Sequence, residues 1–253
     1  MVKPYYKHNG ITLYCGDCRE ILPELEIETI ITDPVWPDTT VDIPGSKNPY
    51  KLFREFCKSI PESTERLVIE LGCDSDVRFL QYVPKRLPFL RYCWLEYTVP
   101  SYKGRILYTG DVAFAFGRPP ASIEGRRVLS GRCTSSRSEP MFWRGSGRHR
   151  GKARKGMTAT IGDNLKHPTP RRLEHSKWLV SQYSDRQVVD PFAGSGTTLV
   201  AAKHLGRKAI GIEIKEEYCE FIIKRLSQMT MEELLIPEPG PGPAVDLLQP
   251  ELI

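Results

Sequence analysis

The stretch Asp190-Pro191-Phe192-Ala193-Gly194-Ser195-Gly196-Thr197-Thr198 decides the fold. It follows a short apolar run, Gln187-Val188-Val189, and opens a helix-like stretch from Ser195 to Leu205. A strand entering a glycine turn and then a helix is the repeating unit of doubly wound α/β folds. Glycines let the backbone approach a ligand there, and the helix start offers unpaired N–H groups. A second unit follows, with a strand pattern over 208–213 and a helix over 216–227. In that helix Tyr218, Phe221, Ile222 and Leu226 fall near helical spacing. The fold class expected is therefore α/β, doubly wound, with a mostly parallel sheet.

Working towards the N-terminus, strand patterns cover 11–14 and 27–32, the second ending at Asp33. Residues 38–50 are rich in Pro, Gly, Asp and Asn and read as a loop. A helix is expected over 50–60 and a strand over 66–71. Asp74-Ser75-Asp76 suits the cap of a helix running to Tyr82. Apolar, aromatic and β-branched residues suggest strands over 89–97 and 112–116. Between 118 and 170 the periodicity disappears, as in an insertion or a mobile arm, and it returns in a helix over 173–183. A Pro/Gly-rich tail, 236–253, reads as non-helical.

The chain of 253 residues can bury a sizeable core as one domain with insertions or as two small ones. No apolar run reaches the ~18–20 residues of a membrane helix, and the start of the chain lacks the apolar core of a signal peptide. No membrane association and a cytoplasmic location are expected. The seven cysteines are odd in number and scattered, which argues against a disulfide framework. Cys15 and Cys18 form one CxxC, but no second CxxC or His pair stands at matching spacing, so no metal is expected.

Charge is unevenly placed. Between Arg118 and Arg172 there are fourteen basic and three acidic residues, whereas the whole chain carries only +5, so the remainder is net acidic. Such asymmetry points to a polyanion partner. Arg126, Arg127, Arg132, Arg144, Arg148, Arg150, Lys152, Arg154 and Lys155 are the candidate nucleic-acid contacts.

The glycine turn is unlike a phosphate-binding loop, because no lysine follows Gly196. Nor does Gly194-Ser195-Gly196 continue into the third glycine of a dinucleotide fingerprint. Instead Asp190 places a carboxylate at the strand end, where it repels phosphate and suits a cationic or hydroxyl-rich ligand. Glu213 ends the next strand, near the spacing at which an acidic residue accepts both ribose hydroxyls. The pair fits a nucleoside that lacks phosphate and carries positive charge, and S-adenosyl-L-methionine has both properties. A second site is Asp33-Pro34-Val35-Trp36 at the end of an upstream strand. An exocyclic amine conjugated to a ring is a poor nucleophile. Hydrogen bonds from its N–H groups to the Asp33 side chain and the Pro34 carbonyl would favour the geometry needed for attack. Trp36 offers an exposed aromatic face for the ring.

With these residues in view, the chain resembles the amino-methyltransferases of DNA that modify adenine N6 or cytosine N4. In particular it resembles the class whose catalytic Asp-Pro-Pro-Tyr/Trp motif precedes the S-adenosylmethionine motif. Asp33-Pro34-Val35-Trp36 stands for the catalytic motif, with Val35 in place of the second proline. Asp190 to Gly196 stands for the cofactor loop and Glu213 for the ribose ligand. Tyr14-Cys15-Gly16-Asp17-Cys18 is similar to the element that contacts the cofactor's adenine. His167-Pro168-Thr169-Pro170 is similar to the element lining its methionine end. Arg171-Arg172 departs from a common Lys-Pro.

The resemblance implies a Rossmann-like methyltransferase with circularly permuted motif order. It implies a catalytic half over 1–117, a basic target-recognition insertion over 118–166 and a cofactor half over 167–235. Catalysis would rest on Asp33, Pro34 and Trp36. The cofactor would be held by Asp17, Cys18, Thr169, Asp190, Phe192, Gly194, Gly196, Thr197 and Glu213. The implied reaction is direct SN2 methylation of a flipped-out base in double-stranded DNA, within the setting of restriction–modification, with a homodimer plausible. Adenine N6 is expected over cytosine N4, because the tetrapeptide starts with Asp. A catalytically silent DNA-binding protein, and methylation of RNA or of a glutamine side chain, are the rival readings.

Overall fold

The computed structural model describes residues 2–37, 39, 42–103, 105–120, 130–134, 159–161, 165–167 and 171–227. In chain order these form strands β1 (Tyr6–His8) and β2 (Ile11–Cys15), helix α1 (Cys18–Ile21), β3 (Thr29–Thr32), α2 (Pro49–Ser59) and β4 (Arg66–Gly72). A long pair follows, β5 (Phe89–Lys103) and β6 (Ile106–Gly117), then the short strands β7 (Arg132–Thr134), β8 (Ala159–Ile161) and β9 (Leu165–His167). Helix α3 (Leu173–Tyr183), β10 (Gln187–Asp190), α4 (Thr197–His204), β11 (Lys208–Glu213) and α5 (Glu216–Ser227) complete the described chain.

Nine strands form one sheet in the order β1-β2-β11-β10-β3-β4-β6-β5-β7. The five in the middle, β2 to β4 in that order, run parallel, as does the outer pair β5 and β7. The β4–β6, β6–β5 and β1–β2 pairs are antiparallel. This is the mostly parallel α/β sheet read from the sequence.

Period-two alternation explains the layers. Leu13, Ile31, Val68 and Val188 face one apolar cluster, shared with α3, α4 and α5, while Tyr14, Ile30, Leu67 and Val189 face the other, shared with α1 and α2. A parallel strand buried on both faces reads as a continuous apolar run, and β3, β4 and β10 do so. From β10 the chain crosses to β11 through α4 on the first face. From β3 it crosses to β4 through α2 on the second. The adjacent ends of β3 and β10 therefore form a topological switch point, where open α/β sheets bind ligands.

Several expectations need correction. Helix α4 starts at Thr197 rather than Ser195, because Gly196 takes a left-handed conformation (φ 77°) as its N-cap. The segment 77–82 is a 3₁₀ helix capped by Asp76. The two strands expected at 89–97 and 112–116 extend into one long hairpin. The region from 118 to 170 is not wholly irregular: β7 adds to the sheet edge beside β5, and β8 pairs with β9. Strand β1 and the short helix α1 carry too few residues to show a period. The tail 236–253 and most of the basic segment lie outside the described residues.

Candidate functional site

The ends of β2, β3, β10 and β11 open into a cavity of about 750 Å³. Asp17, Cys18, Asp33, Pro34, Trp36, Asp190, Phe192, Gly194, Thr197 and Glu213 all line it, so two motifs more than 150 residues apart share one space. Gly196 does not line it. Its role is conformational, and a Cβ there would lie 2.8 Å from Cγ1 of Ile222 on α5.

Asp190 is wholly buried at the end of β10. Its Oδ1 accepts from the Thr32 hydroxyl at 2.8 Å and from the Phe192 N–H at 3.1 Å. Burial pushes its carboxyl up to about 6 despite these bonds. Glu213 is anchored at both oxygens: Oε2 accepts from the Gly194 N–H at 2.8 Å and Oε1 from the Lys215 N–H at 2.9 Å. Burial raises its pKa as well. Phe192 packs edge-on against Phe56, with ring centroids 5.2 Å apart. Asp17 caps α1 through the Arg19 N–H at 2.9 Å, and the Arg19 guanidinium binds both its oxygens, which lowers its pKa. Cys18 is buried, and that burial pushes its thiol up to about 12, so it is no nucleophile. Among the described residues no cluster of His, Cys, Asp or Glu has the arrangement of a metal site.

The other half of the cavity holds Asp33 and Trp36. The indole Nε1–H donates to Asp33 Oδ1 at 2.7 Å. Trp36 was expected to be exposed, and it is not. Its outer edge packs on Gly72, where a Cβ would lie 2.5 Å from Cζ3 of the indole. The Arg171 guanidinium sits over the ring, 4.2 Å from the centroid. Arg171 also forks onto Asp33, with Nε to Oδ2 and Nη2 to Oδ1 both at 2.5 Å, and its Nη1 donates to Asp111 Oδ2 at 2.7 Å. Glu70 lies 3.9 Å from Arg171 Nε, and the Tyr97 hydroxyl bonds Asp111.

Strand parity explains this gathering. Glu70 alternates with Val68, Asp111 with Ala113 and Tyr97 with Leu95, so all three fall on the face covered by α3. Arg171 stands just ahead of that helix. Burial raises the pKa values of Glu70 and Asp111. Burial also opposes the charge on Arg171, but Asp33 and Asp111 outweigh it and hold the guanidinium protonated. No local pattern marks Glu70, Tyr97 or Asp111: the first two lie inside expected strands and the third just ahead of one. Arg171 showed only as a departure from Lys-Pro.

Of the nucleic-acid candidates, Arg132 alone lies within the described residues. It is on the edge strand β7 and bonds Glu96, with Nε to Oε2 at 3.0 Å. Arg126, Arg127, Arg144, Arg148, Arg150, Lys152, Arg154 and Lys155 lie outside them, as does Thr169. No described helix is long and apolar enough to cross a membrane.

The donor set can be tested against the expected nucleoside. Three carboxylates, from Asp17, Asp190 and Glu213, line this half of the cavity, and the glycine turn carries no lysine. That set suits hydroxyls, amines and a positive charge, and it disfavours phosphate. The volume lies within the ~300–1,000 Å³ of small-molecule sites.

Comparison with known proteins agrees with this frame. Residues 115–225 match the family model described as DNA methylase, of the N6/N4 kind. The type II methyltransferase M2.LlaDCHI of Lactococcus lactis subsp. cremoris is 46% identical over 65 residues, which is 25% of this chain and 24% of that protein. The chain thus matches about a quarter of the length of such curated relatives. Among solved structures, the M1.HpyAVI–SAM complex aligns with TM-score 0.58 at 22% identity, covering 86% of this chain and all of that one. The PvuII DNA methyltransferase (cytosine-N4-specific) aligns with TM-score 0.61 at 16% identity, covering 92% of each chain. At such identities the likeness speaks for the fold, which is that of the Rossmann-like methyltransferases. Sheet order and the two acidic strand ends agree with that fold, and over residues 115–225 the chain is similar to the DNA methylases of the N6/N4 kind.

Proposed function

We propose that the protein transfers a methyl group from S-adenosyl-L-methionine to an exocyclic amine of a base in double-stranded DNA, with adenine N6 as the favoured target. The observation that carries this reading is the single cavity shared by Asp33-Pro34 and by Asp190 and Glu213. Glu213, fixed by two backbone N–H groups, is suited to accept the ribose hydroxyls. Asp190 faces the positive end of the ligand, and Asp17 is placed for its adenine. When bound, S-adenosyl-L-methionine supplies an electrophilic methyl group on a sulfonium.

The protein's own part is to present the amine. Asp33 and the Pro34 carbonyl accept its N–H bonds, which localises the lone pair on nitrogen and aims it at the methyl group. Trp36 holds the ring flat. No thiol enters, in keeping with the burial of Cys18. Most of the rate comes from positioning and from electrostatics in a closed site. The base must leave the helical stack to enter a cavity within the protein. Val35 is buried at the wall of the same cavity, and because the amine contacts come from Asp33 and the Pro34 carbonyl, its replacement of the motif's second proline leaves them available.

The test is transfer from labelled S-adenosyl-L-methionine to unmethylated genomic DNA, followed by nucleoside analysis, with Asp33→Ala as control. Label in N6-methyladenine, absent in the variant, is the expected result. Label in N4-methylcytosine would keep the mechanism and change the base. No label despite cofactor binding would shift the reading to RNA, a protein side chain or a silent DNA-binding role.

A further inference from the structure

Trp36 is half-buried at the cavity wall and already carries a partner on its ring. Gly72 lies against the outer edge of the indole so closely that no side chain fits between them, and the Arg171 guanidinium sits over the ring at 4.2 Å. Asp33 is equally committed. Its Oδ1 accepts from Trp36 and from Arg171 Nη2, and its Oδ2 accepts from Arg171 Nε. A guanidinium is a flat cation carrying several in-plane N–H donors. An aminated base is also flat and turns N–H donors outward from its edge. Both satisfy the same two features, an aromatic plane and a carboxylate beside it.

We infer that Arg171 is a selectivity residue of the base seat, an internal occupant that an incoming base must displace from Trp36 and Asp33. The inference rests on the methyl-transfer reading for the identity of the incoming group. The seat itself is defined by the contacts alone. Arg171 has a second position to fall back on, because Asp111 already holds its Nη1 at 2.7 Å and Glu70 stands 3.9 Å from its Nε. Letting go of Asp33 therefore does not strand a buried cation.

Displacement also sets a chemical threshold. A base with an exocyclic amine replaces the N–H donors that Asp33 loses. A base without one leaves that carboxylate with the Trp36 indole N–H as its remaining donor in the seat, and competes less well. The arginine thereby sets a cost that every ring must meet, and a ring that returns N–H donors to Asp33 meets it more readily than one that merely stacks.

The test follows the Arg171 Nε–H resonance by NMR in the full chain saturated with S-adenosylhomocysteine, using 9-methyladenine and 9-methylpurine as probes. The bond to Asp33 should give this resonance a distinct position, assigned by its loss in Arg171→Lys. Addition of 9-methyladenine should move it, and 9-methylpurine should not. In Arg171→Met both probes should bind more tightly, each by about tenfold, because each is spared the same displacement. Should loss of the cation prevent that variant from folding, Arg171→Met/Asp111→Asn removes one of the facing charges, and Arg171→Lys keeps the charge while losing the planar fork.

Folded variants that bind both probes no better than the parent would overturn the inference and leave Arg171 as a fixed counter-ion. So would a resonance unmoved by saturating 9-methyladenine. Failure of the methyl-transfer reading would show elsewhere, as absent S-adenosylhomocysteine binding or absent label on DNA, while the response of the Arg171 resonance would still report on the seat.

Discussion

Asp190 shows how a single residue carries stability and function in opposite directions. Burial holds its carboxyl near 6, against 3.8 for the ordinary group, so between those values the folded chain binds more protons than the unfolded one. Its contribution to stability therefore falls as pH rises through that window. Asp190→Asn should raise the melting temperature at pH 7, and the gain should shrink below pH 6 and vanish near pH 4. The same variant should weaken S-adenosyl-L-methionine binding at pH 7, measured by calorimetry, because the proposed function sets this carboxylate against the cationic end. A variant that is destabilised at pH 7 would contradict the burial argument. At this scale the sequence was most legible where a residue ended a strand beside a glycine or a proline, as at Asp33, Asp190 and Glu213. It was silent on Glu70 and Asp111, whose meaning depends on a partner, Arg171, that only the folded sheet brings near.

At the scale of elements, the turn into α4 is held from behind by α5. Gly196 has φ 77°, and an added Cβ would meet Ile222 at 2.8 Å. Gly196→Ala should cost about 1–3 kcal/mol from positive-φ strain and overpacking. In an Ile222→Ala background, which removes the two γ carbons the new Cβ would meet, the cost should shrink, as a double-mutant cycle in urea would report. Full additivity of the two changes would show that strain alone, without the contact, sets the cost. Helices α2, α3 and α5 lie within a residue of their expected ends, α5 because its apolar residues recur at helical spacing and α2 because a cap and a proline mark its start. Asn48 accepts from the Lys51 N–H at 3.0 Å with Pro49 in the first turn, a start signal that local chemistry writes directly. The β5–β6 hairpin ran past its expected ends because antiparallel pairing extends through polar residues that propensity reads as loop. Strand β7 was missed for a related reason: three residues carry no period, and only pairing with Trp94 to Glu96 makes them a strand.

For the molecule as a whole, charge is divided between a basic segment and an acidic cavity. If the basic segment neutralises DNA phosphates, affinity for duplex should fall steeply and linearly in log–log terms with salt. Arg132→Ala should change that slope little, because the side chain is already paired with Glu96. A slope near zero for the parent would remove the electrostatic case for a DNA partner. The fold class was legible at this scale because strand, glycine turn and helix recur in order. The union of the two sites was foreseeable only through resemblance, since spacing says nothing of which strands become neighbours. The acidic pocket around Arg171 has a practical consequence for handling the protein. Three carboxylates set around one guanidinium form a receptor for that ion, and free guanidinium in solution is the same chemical group. Guanidinium chloride at molar concentration will therefore compete with Arg171 for these carboxylates as well as act as a denaturant. Linear extrapolation from guanidinium unfolding curves will fold that binding into the apparent stability, and urea, which carries no charge, is the denaturant from which a stability can be read.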